Sequence, residues 1–425
     1  MSVTAGRNER AFLVFNFRKS IGALHSGAPS FDFLSHLPNT ATSSSRLEEI
    51  QSFGSNPGNL RLHCYLPASA PHPSLVVVLH GCGQTAAGYD HGAGWSTLAD
   101  RYGFALLMPE QQRSNNPNGC FNWFQPEDTQ RGQGEVASIH QMIEAMIREK
   151  GIDRRRVFVT GLSAGGAMTS AMLACYPDVF AGGAIVAGLP YGAAANVQQA
   201  FQSMFQCPSR PAQQWGDMVR AAAPHHKGPW PRVAVWHGSD DKTVVPSNAR
   251  EIIKQWTSVH ELPIGLMEED EVEGHRRQAW LNDAGDTVIE SYVIANMAHG
   301  TPLATGDADS ECGNAGPFLL EAGISSSFHI ARFFGLTADG VRVASRSEPV
   351  ATFAQTPEIL PPQRVARQLV ARQFIAPQVI APQVMEPSLS ARPGPTKSAP
   401  PPRMSPLDIG AVITNALQAA GLMKR

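Results

Sequence analysis

Five short apolar runs, each ending at a turn residue, recur between residues 75 and 238: LVVVLH (75–80), ALLMPE (105–110), VFVTG (157–161), AIVAG (184–188) and VAVWHG (233–238). Runs of this length without polar alternation read as strands covered on both faces, the pattern of a parallel sheet. Helical segments lie between them. In GEVASIHQMIEAMIREKG (134–151), Val136, Ile139, Met142, Ile143 and Met146 share one face and Gly151 supplies a stop. Strand alternating with helix over about 280 residues predicts an α/β domain with a mostly parallel, doubly wound sheet.

The rest of the chain differs. Residues 1–48 are rich in Ser, Asn, Arg and Ala without sustained periodicity and read as a poorly ordered leader ahead of a domain over 49–337. The run ISSSFHIARFFGL (324–336) reads as that domain's closing amphipathic helix. From 338 to 403 the chain turns Pro-rich, with an imperfect echo FIAPQ-VIAPQ-VMEPS, which predicts a disordered, extended linker. In 404–425, Ser405 offers a cap, Pro406 suits a first turn, and apolar residues follow at helical spacing. That predicts a short amphipathic helix, able to dock on the domain or on a partner.

The 425 residues are 43% hydrophobic, enough for a sizeable core, and the formal net charge is −2. Such a balance gives no basic footprint for nucleic acid. No run approaches the roughly 20 apolar residues of a membrane span. The stretch AFLVFNF (11–17), flanked by arginines, is too short for a clear signal peptide. Six cysteines (Cys64, Cys82, Cys120, Cys175, Cys207, Cys312) form no CxxC pair that would suggest zinc or redox work; one or two disulfides are compatible with them, with no pairing assigned.

The chemistry sits at VFVTGLSAGGAM (157–168), where Gly161-Leu162-Ser163-Ala164-Gly165 stands between a strand and a helix. A serine on so tight a turn is held above the sheet edge as a nucleophile; the competing reading is a serine that merely caps the helix. Downstream, VAVWHGSDDKTVVP (233–246) places Asp241 in an H-G-x-x-D-x-x-V frame with His237, Gly238 and Val244, with Asp240 as its nearest rival. Further on, VIANMAHGTP (293–302) puts His299 beside Gly300 just past the strand-like VIESYVI. His275, His225 and His226 compete as bases, in polar or helical surroundings. Nucleophile, acid, base is the chain order of α/β-hydrolases. An oxyanion hole would take one donor from the Ala164 N–H and another from the His80-Gly81 turn, where Cys82 would donate through its main chain. This chemistry requires no metal or organic cofactor.

Together, LHGCGQTAAGYDHGAGWSTLADRYGFALLMPEQ, GCFNWFQPEDTQRGQGEVASI, VFVTGLSAGGAM and HGSDDKTVVPSNAR resemble the esterases of the poly(3-hydroxybutyrate) depolymerase family, themselves similar to the acetylxylan and feruloyl esterases of carbohydrate esterase family 1. The resemblance covers about residues 60–337. It implies an α/β-hydrolase fold and carboxylic-ester hydrolysis through an acyl-enzyme, with Ser163, Asp241 and His299 as the triad and Cys82 in the oxyanion hole. It also implies that CFNWF (120–124) lines the acyl or polymer cleft, with Trp123 at the substrate; the other reading makes Trp123 a packed aromatic under a loop. Cys82 and Cys120 would approach each other across the site mouth, a bridge being left open. The expected substrate is poly(3-hydroxybutyrate), its oligomers or related short-chain esters, with acylated polysaccharide as the alternative. A non-catalytic binding protein on the same fold is the reading of a different class. The resemblance leans towards an extracellular or periplasmic protein, while the unclear signal leaves the cytoplasm open. The secreted polymer-degrading members carry a Ser/Thr-rich linker and an aromatic-rich binding domain, where this chain has its Pro-rich tail.

Overall fold

The computed structural model describes residues 45–68 and 73–337. The Pro-rich segment, the C-terminal helix and residues 1–44 of the expected leader lie outside the described residues. At its near end Arg46 pairs with Asp100 and donates to the Ser96 hydroxyl, so the chain is already engaged with the domain there.

Twelve strands are described: β1 Glu48–Ile50, β2 Arg61–Tyr65, β3 Leu75–Leu79, β4 Ala105–Glu110, β5 Val157–Leu162, β6 Gly182–Val186, β7 Arg232–Gly238, β8 Glu268–Val272, β9 His275–Leu281, β10 Thr287–Ile294, β11 Thr301–Leu303 and β12 Leu319–Glu321. The helices are α1 Ala86–Ala93, α2 Trp95–Tyr102, α3 Gly134–Lys150, α4 Ala164–Cys175, α5 Val197–Gln206, α6 Ala212–Ala222, α7 Ser247–Val259 and α8 Ser326–Phe333. Ten strands form one sheet in the order β1-β2-β4-β3-β5-β6-β7-β10-β9-β8. The six from β4 to β10 run parallel, while the pairs at both ends are antiparallel.

The central parallel strands carry mostly apolar residues on both faces because both are covered. Along β3, Leu75, Val77 and Leu79 pack with Ile139 and Met142 of α3 and Met168 of α4, whereas Val76 and Val78 pack with Leu98 of α2 and Phe334 beyond α8. One residue's shift thus sends a side chain to a different core. The face of α3 anticipated from its spacing is buried throughout, and Gly151 ends the helix at φ 68°. Every residue of α4 is buried, which fits its small, apolar sequence between sheet and flanking helices. No helix among the described residues is long and apolar enough to cross a membrane.

Candidate active site

At the carboxyl ends of four parallel strands the chain presents the residues singled out above: β3 leads to Cys82, β5 to Ser163, β7 to Asp241 and β10 to the loop of His299. In open α/β sheets this edge is where ligands bind.

The backbone at Ser163 sits at φ 57°, ψ −115°, a conformation that costs a residue with a side chain about 1–3 kcal/mol and persists only where the surroundings fix it. Here they do. The Ser163 N–H donates to the Val186 carbonyl at 2.9 Å, and its own carbonyl accepts from Ala167 N–H at 2.8 Å. A Cβ on Gly165 would run into the Leu79 carbonyl and come within 2.6 Å of the His80 carbonyl, so only glycine lets α4 start this close to β3. Although Ser163 occupies the cap position of α4, its hydroxyl makes no capping bond and faces a cleft instead. Ala164 opens α4; the N–H groups of a first helical turn have no intrahelical acceptor and lie at the positive end of the helix dipole.

Asp241 is 2% exposed and its carboxylate is engaged through both oxygens. Its Oδ1 receives the N–H groups of Thr243 at 2.9 Å and Val244 at 2.8 Å, and its Oδ2 lies 2.7 Å from His299 Nδ1 and 3.3 Å from His237 Nε2. Burial alone would raise its pKa. The attraction of His299 and the hydrogen bonds from His237 and His299 outweigh that and hold the carboxyl well below the usual range. Asp240 is exposed beside it. Gly238, at the end of β7, meets the His299 loop so closely that a Cβ would lie 2.8 Å from the Ala298 carbonyl. With Nδ1 engaged by Asp241, His299 is left with Nε2 as its free ring nitrogen, and the residue shares a cleft with Ser163. Of the competing histidines, His275 begins β9 and bonds the Ala322 carbonyl at 2.9 Å, and His226 packs on Trp230, neither in the cleft. His275 keeps the polar surroundings expected of it, next to Arg276 and Arg277, although it opens a strand.

The cleft has a volume of about 510 Å3. Trp123 lines it and also packs on the core beneath. Also lining it is a stretch that the sequence reading missed: Val197, Phe201, Met204 and Phe205 of α5. Their spacing is that of an ordinary core-facing stripe, yet of the α5 residues only Ala200 and Ser203 are buried. The hint was two phenylalanines four apart in a segment flanked by turns.

Cys82 and Cys120 are disulfide-bonded, so no thiol is available at the site. The four remaining cysteines are buried, and burial pushes the Cys64 thiol up to about 11 and that of Cys175 up to about 12, which leaves them unreactive. The bridge closes a ring of contacts. His80 donates from Nδ1 to the Gly81 carbonyl at 2.8 Å and accepts at Nε2 from Gln111 N–H at 3.1 Å. Burial lowers its pKa, consistent with this neutral tautomer. The Gln111 side chain donates to the Cys120 carbonyl at 3.0 Å and to buried Glu135, which also receives the Asn122 N–H at 2.9 Å. Burial, with the charge of Asp128 adding, pushes the Glu135 carboxyl up to about 8, against the pull of those hydrogen bonds. The turn carrying Cys82 and the aromatic loop are therefore tied covalently through the cysteines and non-covalently through Gln111.

Residues 60–265 match the family model described as Esterase PHB depolymerase. The chain is 43% identical over 291 residues to poly(3-hydroxyalkanoate) depolymerase C of Paucimonas lemoignei, covering 68% of this chain and 70% of that protein. It is 34% identical over 264 residues to the acetylxylan esterase of Coprinopsis cinerea, covering 60% of this chain and 70% of the other. Among solved structures, the acetyl xylan esterase from Aspergillus awamori superposes with a TM-score of 0.55 at 27% identity, over 60% of this chain and 93% of that one.

Proposed function

The chain belongs to the PHB depolymerase esterase family and is a carboxylic ester hydrolase, and from that premise we propose that Ser163, His299 and Asp241 carry the reaction. His299 takes the Ser163 proton at Nε2 as the oxygen attacks the ester carbonyl, forming a tetrahedral intermediate. Asp241 holds the ring through Nδ1 and stabilises the imidazolium that forms. The main-chain N–H groups of Ala164 and Cys82 receive the oxyanion. His299 returns the proton to the leaving alcohol, and water, activated by the same base, then releases the acyl group. The observation that carries this reading is the 2.7 Å contact between His299 Nδ1 and Asp241 in a cleft that also exposes Ser163 on its strained turn.

The preferred substrate is poly(3-hydroxybutyrate) or its oligomers and related short-chain esters, with Trp123 on the acyl or polymer side of the cleft. Similarity to the depolymerase at 43% identity supports this choice. The acetylxylan esterase relative at 34%, together with an amide-rich cleft wall suited to sugar hydroxyls, favours an esterase acting on acylated polysaccharide as the second reading. A disulfide at the site mouth fits an oxidising, extracellular or periplasmic setting.

Hydrolysis of p-nitrophenyl butyrate by the wild type, lost in Ser163→Ala, tests the chemistry; equal rates in both proteins would sink the assignment of Ser163. Release of 3-hydroxybutyrate from amorphous polymer, set against release of acetate or ferulate from xylan, decides between the substrates.

A further inference from the structure

Of the 22 residues that line the cleft, His299 is the only one with an ionisable side chain, since Cys82 and Cys120 are joined. At the chain's 16% of charged residues, a lining of 22 would hold three or four Lys, Arg, Asp or Glu; this one holds none. One wall offers amides, among them Asn115, Asn118 and Gln125, and the other the apolar side chains of α5, including Phe201 and Phe205. Ester hydrolysis does not require that neutrality. It bears on what the ester can carry with it.

A carboxylate drawn into such a cleft leaves water without meeting a cation, and side-chain amides return only part of its hydration. His299 cannot neutralise it, because a general base has to start uncharged, and Asp241 behind it adds repulsion. A neutral ester suffers none of this. It gains contact with α5 along its alkyl part and can accept hydrogen bonds from the amides at its carbonyls.

We propose that the cleft selects its esters by charge: it takes neutral ones and rejects those whose acyl or alcohol part brings a carboxylate against the lining. In a polyester of hydroxy acids the enzyme then cuts interior bonds and spares the bond next to a free acid end. This rests on the ester-hydrolase reading of the site.

Three p-nitrophenyl esters of nearly equal size test it on the full chain: the butyrate, the hemisuccinate and the methyl succinate. The expected kcat/KM for the hemisuccinate is at least 30-fold below that for its methyl ester, with the butyrate and methyl ester within fivefold of each other. On the alcohol side, the methyl ester of the 3-hydroxybutyrate dimer should be cut faster than the free acid by a similar factor. Phe201→Arg in α5 and Asn118→Arg in the loop before α3, made separately, should each narrow the hemisuccinate gap, at least one of them by tenfold. Hemisuccinate and methyl ester hydrolysed within threefold of each other, or a gap that neither arginine narrows, overturns the proposal. A protein inert towards the butyrate and methyl ester alike would instead overturn the ester-hydrolase reading beneath it.

Discussion

Breaking the Cys82–Cys120 bridge, by Cys120→Ser or by a phosphine reductant, releases the constraint on a loop with a sequence separation of 38. In the chain-entropy account, a closed loop of that length removes about 13 cal/mol/K from the unfolded chain, or about 4 kcal/mol at 25 °C. With unfolding entropy near 2.1 cal/mol/K per residue, a folded unit of about 290 residues has about 0.6 kcal/mol/K at its midpoint, so the loss lowers Tm by about 6 °C. Activity should fall by a separate route. The bridge holds the turn carrying the Cys82 N–H against the aromatic loop, and His80, Gln111 and Glu135 hold only its other side. Loss of one oxyanion donor costs about 3 kcal/mol of barrier; a donor held at half strength costs about 1.4 kcal/mol, a tenfold fall in kcat. Scanning calorimetry and p-nitrophenyl butyrate kinetics, with and without reductant, read both effects. The reductant should do nothing further to Cys120→Ser, because the other described cysteines are free and buried. A variant with wild-type Tm and wild-type kcat would refute the reasoning.

Asp241→Asn keeps the size of the side chain but destroys its charge and its hold on the His299 tautomer, and should lower kcat by on the order of 10^3–10^4-fold with little change in KM in the butyrate assay. Gly165→Ala forces a methyl group into the Leu79 and His80 carbonyls and should cost about 1–3 kcal/mol or more, read as a lower urea midpoint along with lost activity. Trp123→Ala removes part of the cleft wall and should raise KM for long esters several-fold more than for acetate esters, as steady-state kinetics across chain lengths would reveal. Glu135 gives a pH signature: below pH 4.5 it is protonated folded and unfolded, but between 4.5 and about 8 only the unfolded chain gives up the proton, so its contribution to stability drains away as pH rises through that window. Glu135→Gln cannot ionise, and its thermal stability relative to wild type should therefore improve from pH 5 to pH 8; a constant difference across that range would count against the raised carboxyl.

The parallel half of the sheet and its helices were legible because burial on both faces writes itself into the sequence as unbroken apolar runs, such as Val76-Val77-Val78. The antiparallel edges were not: β8 is the exposed, acidic EEDEV, whose pairing with β9 rests on Arg276 and Arg277 meeting Glu269 and Asp270 rather than on any apolar period. At the site, Ser163, Asp241 and His299 could be named from motif and chain order, since a strand end followed by a tight turn leaves a local trace. Three further features left at most a faint trace of their role. His237 reaches Asp241 at 3.3 Å from within a strand that reads as plain core, α5 presents a core-like stripe to a cleft, and Glu135 looks like a first-turn acid on α3 until its 1% exposure is seen. Each depends on which neighbour folds against it, which no single stretch of sequence contains.

The four strand ends that carry Cys82, Ser163, Asp241 and His299 belong to the sheet, whereas the two walls of the cleft come from elsewhere: α5 from the long excursion between β6 and β7, and the Asn-rich aromatic loop from the stretch between β4 and α3. On the proposed mechanism, bond-breaking machinery and substrate recognition thus sit on separate pieces of chain. On that reading, replacing the excursion at 187–231 alone would re-address the enzyme to another ester while leaving the residues at the strand ends untouched.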